Sequence, residues 1–371
     1  MVHFFKSHPH PNRPNQDAFR PMRLTLLIPE LIWPEPGDRQ TLDGLAAPAL
    51  GALLARGHER RSDAADNSAD ALIAAAFGLA DEVPYAPLRL LGEGHDPGAH
   101  HWACADPVHL RFHQERLILA DGRTIAIDAT EAGQLVRHLN DYFAEAGEAI
   151  EFVATAADRW HLRLAAPADF RTPPLSAMAG RRVDRQLPEE ANTVWLRRLL
   201  NEAQMLLHGH PANDARAGAG RLTINSLWLW GPGQLPAGLA RCFEAVYAGH
   251  PLARGLARVS GTVCTDAPAS FAELQNAAPA DGRVLVLLDD LLRAVQYEDG
   301  NTWQQGLRDL EARWFAPLAA AIRSGRVELD LQSSTIYGRL GWQVRRGDLW
   351  RFWQRPTTIA AVAGRLSGSA S

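Results

Sequence analysis

The run VLVLL at residues 284–288 constrains this chain more than any other feature. Five successive apolar residues with no polar alternation suit a strand covered on both faces, and strands of that kind belong to parallel sheets. Residues 23–28 (RLTLLI) read as a first buried strand, stopped by Pro29, Pro34 and Pro36. Residues 224–230, 257–263 and 327–331 read as further strands. Between them, apolar residues recur at helical spacing over 41–56, 69–77, 194–207, 239–247, 270–277 and 303–322. In the last of these the face is Trp303, Leu307, Leu310, Trp314, Leu318 and Ile322, and Gly325 ends it. Alternating strands and helices predict an α/β fold with a mostly parallel sheet flanked by helices.

The middle of the chain has a different character. Residues 108–112 and 117–120 form a candidate strand pair, 129–146 an amphipathic helix, and 150–154 and 160–164 two more strands. This is a smaller α+β unit that interrupts the larger one. The expected organisation is a disordered leader at 1–21, an α/β core at 22–83 and 190–356, an inserted α+β domain at 84–189 and a loose tail at 357–371. Within 345–353, Asp348 is expected to cap a short amphipathic helix that docks its Trp residues on the core.

Composition excludes several chemistries. Lys6 is the only lysine, so a lysine Schiff base and a G-x-x-x-x-G-K phosphate loop are both absent. A formal charge of −4 argues against a general nucleic-acid or membrane-surface binder. Cys104, Cys242 and Cys264 are scattered and odd in number, which fits a reducing, cytoplasmic setting. No apolar stretch reaches a membrane span. The 14 His residues show no H-E-x-x-H spacing, and no G-x-S-x-G elbow or complete G-x-G-x-x-G is present. One polar cluster is denser than a core requires: His208, His210, Asn213, Arg216 and Asn225. It suits either an anion site, because guanidinium matches phosphate or carboxylate as a planar fork, or a loop tied down by side-chain hydrogen bonds.

Three blocks carry a family resemblance: Ala105-Asp106-Pro107-Val108-His109-Leu110-Arg111, Asn201-Glu202-Ala203-Gln204-Met205-Leu206-Leu207-His208, and Ile224-Asn225-Ser226-Leu227-Trp228-Leu229-Trp230-Gly231. With the opening LLIPELIWPE, they resemble the RpfE-type regulatory protein family over residues 22–355. That family resembles, at a greater distance, the archaeal-type cofactor-independent phosphoglycerate mutases of the alkaline phosphatase superfamily. Thr41-Leu42-Asp43-Gly44, His210-Pro211-Ala212-Asn213 with Arg216, and Asp299-Gly300-Asn301 with Glu311 are similar to mutase segments. The resemblance implies an alkaline-phosphatase-like core with an α+β insert.

The departures from the mutase pattern bear on function. Those enzymes hold two metals through Asp and His and use a Ser nucleophile. Their Asp-Gly after the first strand reads here as Pro29-Glu30, and Ala69 takes the nucleophile position beside Ser68. Their later metal segments read as Ala294-Val295-Gln296-Tyr297-Glu298 and Gln332-Ser333-Ser334-Thr335. Losing that donor set removes the charge that activates the nucleophile and clamps the phosphoryl oxygens. The resemblance therefore implies a bacterial, cytoplasmic pseudoenzyme without catalytic residues, cofactor or metal. It would bind an anionic small metabolite through Arg111, His210, Asn213, Arg216 and Asn225, or a regulatory protein partner, but neither nucleic acid nor membrane. The alternative is a divergent metal-dependent 2,3-bisphosphoglycerate-independent phosphoglycerate mutase or phosphohydrolase. It would hold Mn or Mg on Glu30, Asp70 and Glu298, with Asp290 and Asp330 as further carboxylates.

Overall fold

The computed structural model describes residues 20–62, 66–113, 116–181, 183 and 194–368. The leader expected at 1–21 falls almost wholly outside them. Seven strands form the larger sheet: β1 (Met22–Leu27), β2 (His58–Ser62), β8 (Ala245–Tyr247), β9 (Val263–Thr265), β10 (Gly282–Leu287), β11 (Val327–Thr335) and β12 (Gly338–Val344). Their order is β2-β12-β11-β1-β10-β8-β9. The five strands from β11 to β9 run parallel, whereas β12 and β2 join antiparallel at one edge. The second sheet contains β3 (His101–His113), β4 (Arg116–Asp121), β5 (Ile150–Ala156), β6 (Arg159–Leu164) and β7 (Ser226–Gln234). The expected mostly parallel α/β sheet with a smaller α+β unit is what the chain adopts.

In chain order the helices are α1 (Arg39–Leu42), α2 (Pro48–Arg56), α3 (Ala69–Ala76), α4 (Tyr85–Gly92), α5 (Gly122–Ile125), α6 (Ala129–Glu145), α7 (Leu175–Met178), α8 (Val194–His208), α9 (Pro211–Gly218), α10 (Pro251–Val259), α11 (Phe271–Ala277), α12 (Asp290–Gln296), α13 (Gly300–Leu310), α14 (Ala316–Arg323) and α15 (Ile359–Gly368). One face of the larger sheet, with Leu24, Leu26, Val286, Leu331 and Trp342, packs on Leu53, Trp303, Leu318 and Val362 from α2, α13, α14 and α15. On the other face Leu27, Leu285 and Leu287 meet Leu72, Leu88 and Leu256 from α3, α4 and α10. Helices α4 and α10 cross at two glycines. A Cβ built on Gly255 would lie 1.8 Å from the Leu88 carbonyl oxygen, and one on Gly92 1.8 Å from that of Pro251. Helices α13 and α14 are continuous through a π-helical segment, Glu311–Phe315. There the Glu311 carboxylate caps α2, accepting from Ala49 N (2.7 Å) and Leu50 N (3.0 Å).

A buried ion network joins α4 to the smaller sheet. Asp106 on β3 is fully buried. It accepts hydrogen bonds from both terminal nitrogens of Arg89 (2.7 Å each), from Trp230 Nε1 (2.8 Å) and from Trp160 N (3.2 Å). One turn on, Glu93 accepts from Arg159 Nε (2.7 Å) and lies 2.8 Å from His161 Nε2. Burial pushes the Glu93 pKa up, but the His161 contact and the Arg89 charge outweigh it and hold the group down at about 2.

Several expectations need correction. The helix expected over 41–56 is two helices, because Gly44 turns with φ 71° and Pro48 opens α2. Residues 239–244 are not helical, and 245–247 are strand β8: pairing with β10 overrides the helical spacing. The strand expected over 257–263 is the end of α10, whose first residue is Pro251, followed by β9. The smaller unit does not end at 189. Strand β7 pairs with β3, and α8 and α9 share its core through Leu199, Leu207 and Ala212. Strand β7 is apolar on both faces because Trp228 and Trp230 face the larger unit while Leu227 and Leu229 face the smaller. The tail is not loose at 359–368, since Ile359, Val362, Ala363 and Leu366 bury one face of α15. Finally, 345–353 holds only a 3₁₀ turn, Asp348–Trp350. Leu349 reaches the core, while Trp350, Phe352 and Trp353 stand 52%, 66% and 75% exposed.

Candidate functional site

Ligands of open α/β sheets bind beyond the carboxyl ends of the strands. There the chain leaves β1 through Pro29 into Glu30, which takes a left-handed backbone (φ 57°) that favours glycine. The conformation is held from both sides: Glu30 N donates to Ser334 O (2.9 Å), and Glu30 O accepts from Trp303 Nε1 (3.1 Å). Its carboxyl group is buried, with Oε1 3.2 Å from Arg181 Nη2 and Oε2 without a partner. Burial pushes Glu30 up to about 7, while the Arg181 charge pulls the other way.

Asp70 sits in the first turn of α3, capped by Ser68, whose Oγ accepts from Ala71 N (3.0 Å). The Asp70 carboxylate is buried. It accepts from Ser176 Oγ (2.6 Å) on α7 and lies 4.0 Å from His250 Nε2. Burial raises its pKa, with the His250 charge opposing. The two acids belong to one ring of contacts. Ser334 is the cross-strand partner of Arg339, which donates to Ala71 O of α3 (3.3 Å). Ser176 O accepts from Gln296 Nε2 (2.7 Å), and Gln296 O abuts Gly180, next to Arg181. Four atoms of this ring are buried without hydrogen-bond partners: Glu30 Oε2, His250 Nδ1, Ser334 Oγ and Arg339 Nε.

The ring does not make a bimetal centre. Among the described residues, no group of three or more His, Cys, Asp and Glu side chains is placed to hold a metal ion. Of the expected substitute ligands, Glu30 answers to Arg181, and Asp70 to Ser176 and His250. Glu298 lies exposed in a left-handed turn after α12. Asp290 opens α12, and Asp330 is engaged by Arg60 (2.6 Å) on the face of the larger sheet. The described residues do not offer a donor set that fits two divalent ions.

The expected anion pocket is also spent on the protein itself. The Arg216 side chain, 1% exposed, binds Glu131 (2.6 Å), Leu222 O (2.7 Å) and Ile125 O. Asn213 ties Leu207 O and both backbone groups of Ile224, and Asn225 brackets Leu110 in the same way. His210 Nδ1 accepts from Ala212 N as the cap of α9. Arg111 stands exposed on β3. Four of the five therefore fix the smaller unit's backbone, the loop reading rather than the ligand reading. Arg181, Ser176 and His250 carried no local signal, because sequence separations beyond 60 residues bring them to Glu30 and Asp70.

Glu30 gives a pH test. Its folded value near 7 exceeds the ordinary 4.5, so the folded chain holds an extra proton between those values and stability falls as pH rises through that window. Relative to wild type, Glu30→Gln is expected to gain about 2–3 kcal/mol between pH 5 and pH 8. Urea midpoints at the two pH values measure this, and parallel shifts for both proteins would sink the assignment.

No family model matches the chain. Over 59 residues it is 34% identical to a curated "Probable 2,3-bisphosphoglycerate-independent phosphoglycerate mutase" of Geobacter sulfurreducens. That stretch is 16% of this chain and 15% of the relative's length. Among solved structures it is similar to the PH0037 protein of Pyrococcus horikoshii, with a TM-score of 0.54 at 14% identity over 92% of each chain. It is also similar to the cofactor-independent phosphoglycerate mutase of Thermoplasma acidophilum, with a TM-score of 0.44 at 18% identity over 88% of this chain and 90% of that one. The likeness to PH0037 shows a shared fold. Among the described residues no helix is long and apolar enough to cross a membrane.

Proposed function

We propose that this chain is a non-catalytic regulatory protein built on a phosphoglycerate-mutase-like scaffold, in the manner of the RpfE-type family. The short likeness to the Geobacter mutase supports the scaffold part of this reading. The observation that carries the rest is the dispersal of the carboxylates. Glu30, Asp70, Asp290, Glu298 and Asp330 lie at separate positions, and no three acid or imidazole donors gather among the described residues. Two-metal phosphoryl transfer needs a clamp on both attacking and leaving oxygens, and this donor set does not build one. Ser68, the hydroxyl nearest the mutases' nucleophile position, is spent capping α3. What remains at the carboxyl edge is a buried polar ring that holds the smaller unit against the sheet through Arg181 and Ser176.

The alternative, a divergent Mn- or Mg-dependent mutase or phosphohydrolase, makes the opposite prediction. Purified protein dialysed against Mn and analysed by elemental mass spectrometry is expected to hold far less than one ion per chain. Phosphoglycerate mutase and p-nitrophenyl phosphate assays with added Mn are expected to stay at background. Two ions per chain together with turnover would overturn the non-catalytic reading.

A further inference from the structure

The inner side of the larger sheet is only half covered. Helices α3, α4 and α10 lie over its carboxyl half, on Leu27, Leu285 and Leu287. On the same side, the amino half presents Arg23 and Thr25 of β1, Arg283 of β10, Glu328 and Asp330 of β11, and Gln343 and Arg345 around the end of β12. These residues line a groove of about 470 Å³. It lies at the opposite end of the strands from the Glu30 ring.

The charges in this groove are unbalanced. Asp330 is already paired with Arg60 at 2.6 Å. Among the described residues the side chains of Arg23, Arg345 and Glu328 make no ion pair, and Arg283 makes only a 3.4 Å contact to Arg241 O. Three guanidinium groups thus face one free carboxylate. We propose that this groove binds a small polyhydroxylated molecule bearing two phosphate or carboxylate groups.

Strand geometry sets the match. Arg23 is the register partner of Arg283 on the adjacent strand, about 4.8 Å away, so the two can grip one anionic group as a pair of forks. Strand β12 stands two strands from β1 on the other side, about 10 Å away, which gives Arg345 the second anionic group. Between them Thr25, Gln343 and Glu328 offer donors and acceptors to hydroxyl groups. A second copy of the chain is a poor occupant, because a two-fold contact sets the same arginines against each other.

The test is isothermal titration of the full chain with fructose 1,6-bisphosphate. The parallel arms are inorganic phosphate, fructose and poly-glutamate. Expected is saturable binding of the bisphosphate, weaker binding of phosphate and none of fructose. Arg23→Ala and Arg345→Ala should each raise Kd at least tenfold. Arg163→Ala, an exposed arginine paired with Glu151 on the other unit, should leave Kd unchanged. The groove arginines are exposed, so urea midpoints should match wild type and separate lost binding from lost folding. Absence of heat with the bisphosphate overturns the proposal, as does wild-type affinity in both arginine variants. Binding of poly-glutamate in preference to the bisphosphate also overturns it, by making the occupant an acidic chain. None of these outcomes bears on the non-catalytic reading, which rests on metal content and turnover.

Discussion

Asp106→Ala is expected to destabilise the chain by about 3–5 kcal/mol, the typical cost of leaving one member of a buried pair uncompensated. Arg89 would keep its charge in a site closed to water and lose two hydrogen bonds of 2.7 Å. Trp230 Nε1 and Trp160 N would lose their acceptor as well. Because Arg89 lies on α4 and Asp106 on β3, the loss falls on the junction between the two sheets. The double change Arg89→Met with Asp106→Leu should recover much of the loss, since replacing both charges removes the unpaired one. Urea denaturation of the three proteins checks this. A single variant within 1 kcal/mol of wild type would show that the network does not hold the junction.

Gly255→Ala carries the second large effect. The new methyl would sit 1.8 Å from a backbone oxygen of α4, and a backbone atom cannot turn aside as a flexible side chain can. Helices α4 and α10 must then separate along their crossing. The expected cost is about 3 kcal/mol, at the upper end for overpacking. Gly364→Ala is the matched control: it lies within α15 with open space around its Cβ position. Greater helix propensity there should stabilise by about 0.5–1 kcal/mol. Equal midpoints for both variants would mean that the close crossing is not a constraint.

Three strands of the larger sheet, β1, β10 and β11, were legible because they declare themselves by composition. The VLVLL run, the RLTLLI run and the helices between them lead to a mostly parallel sheet but not to its strand order, and the short β8 and the antiparallel edge of β12 and β2 carry no such run. Strand β7 shows the limit of that signal. Its continuous apolar run marks burial on both faces, and a strand wedged between two units is as buried as one inside a parallel sheet. The candidate site was legible only in part. Glu30 and Asp70 could be flagged from the positions they take in the mutase pattern, but their partners Arg181, Ser176 and His250 meet them only after the chain has folded. The error over Arg216, Asn213 and Asn225 has a different origin. Polar side chains crowded near a strand look the same in sequence whether they serve a ligand or a loop, and only the backbone they bind separates the cases.

The spacing of the longest apolar stripe records one more property of the fold. Nineteen residues separate Trp303 from Ile322, whereas five regular turns take about 18. The surplus residue is the one wound into the wide turn at Glu311–Phe315. Winding all nineteen as a regular helix would overshoot five turns and rotate Leu318 and Ile322 by about 100° away from the sheet. The irregularity is thus what keeps both halves of this long rod in phase with the core, and its length is fixed to the residue.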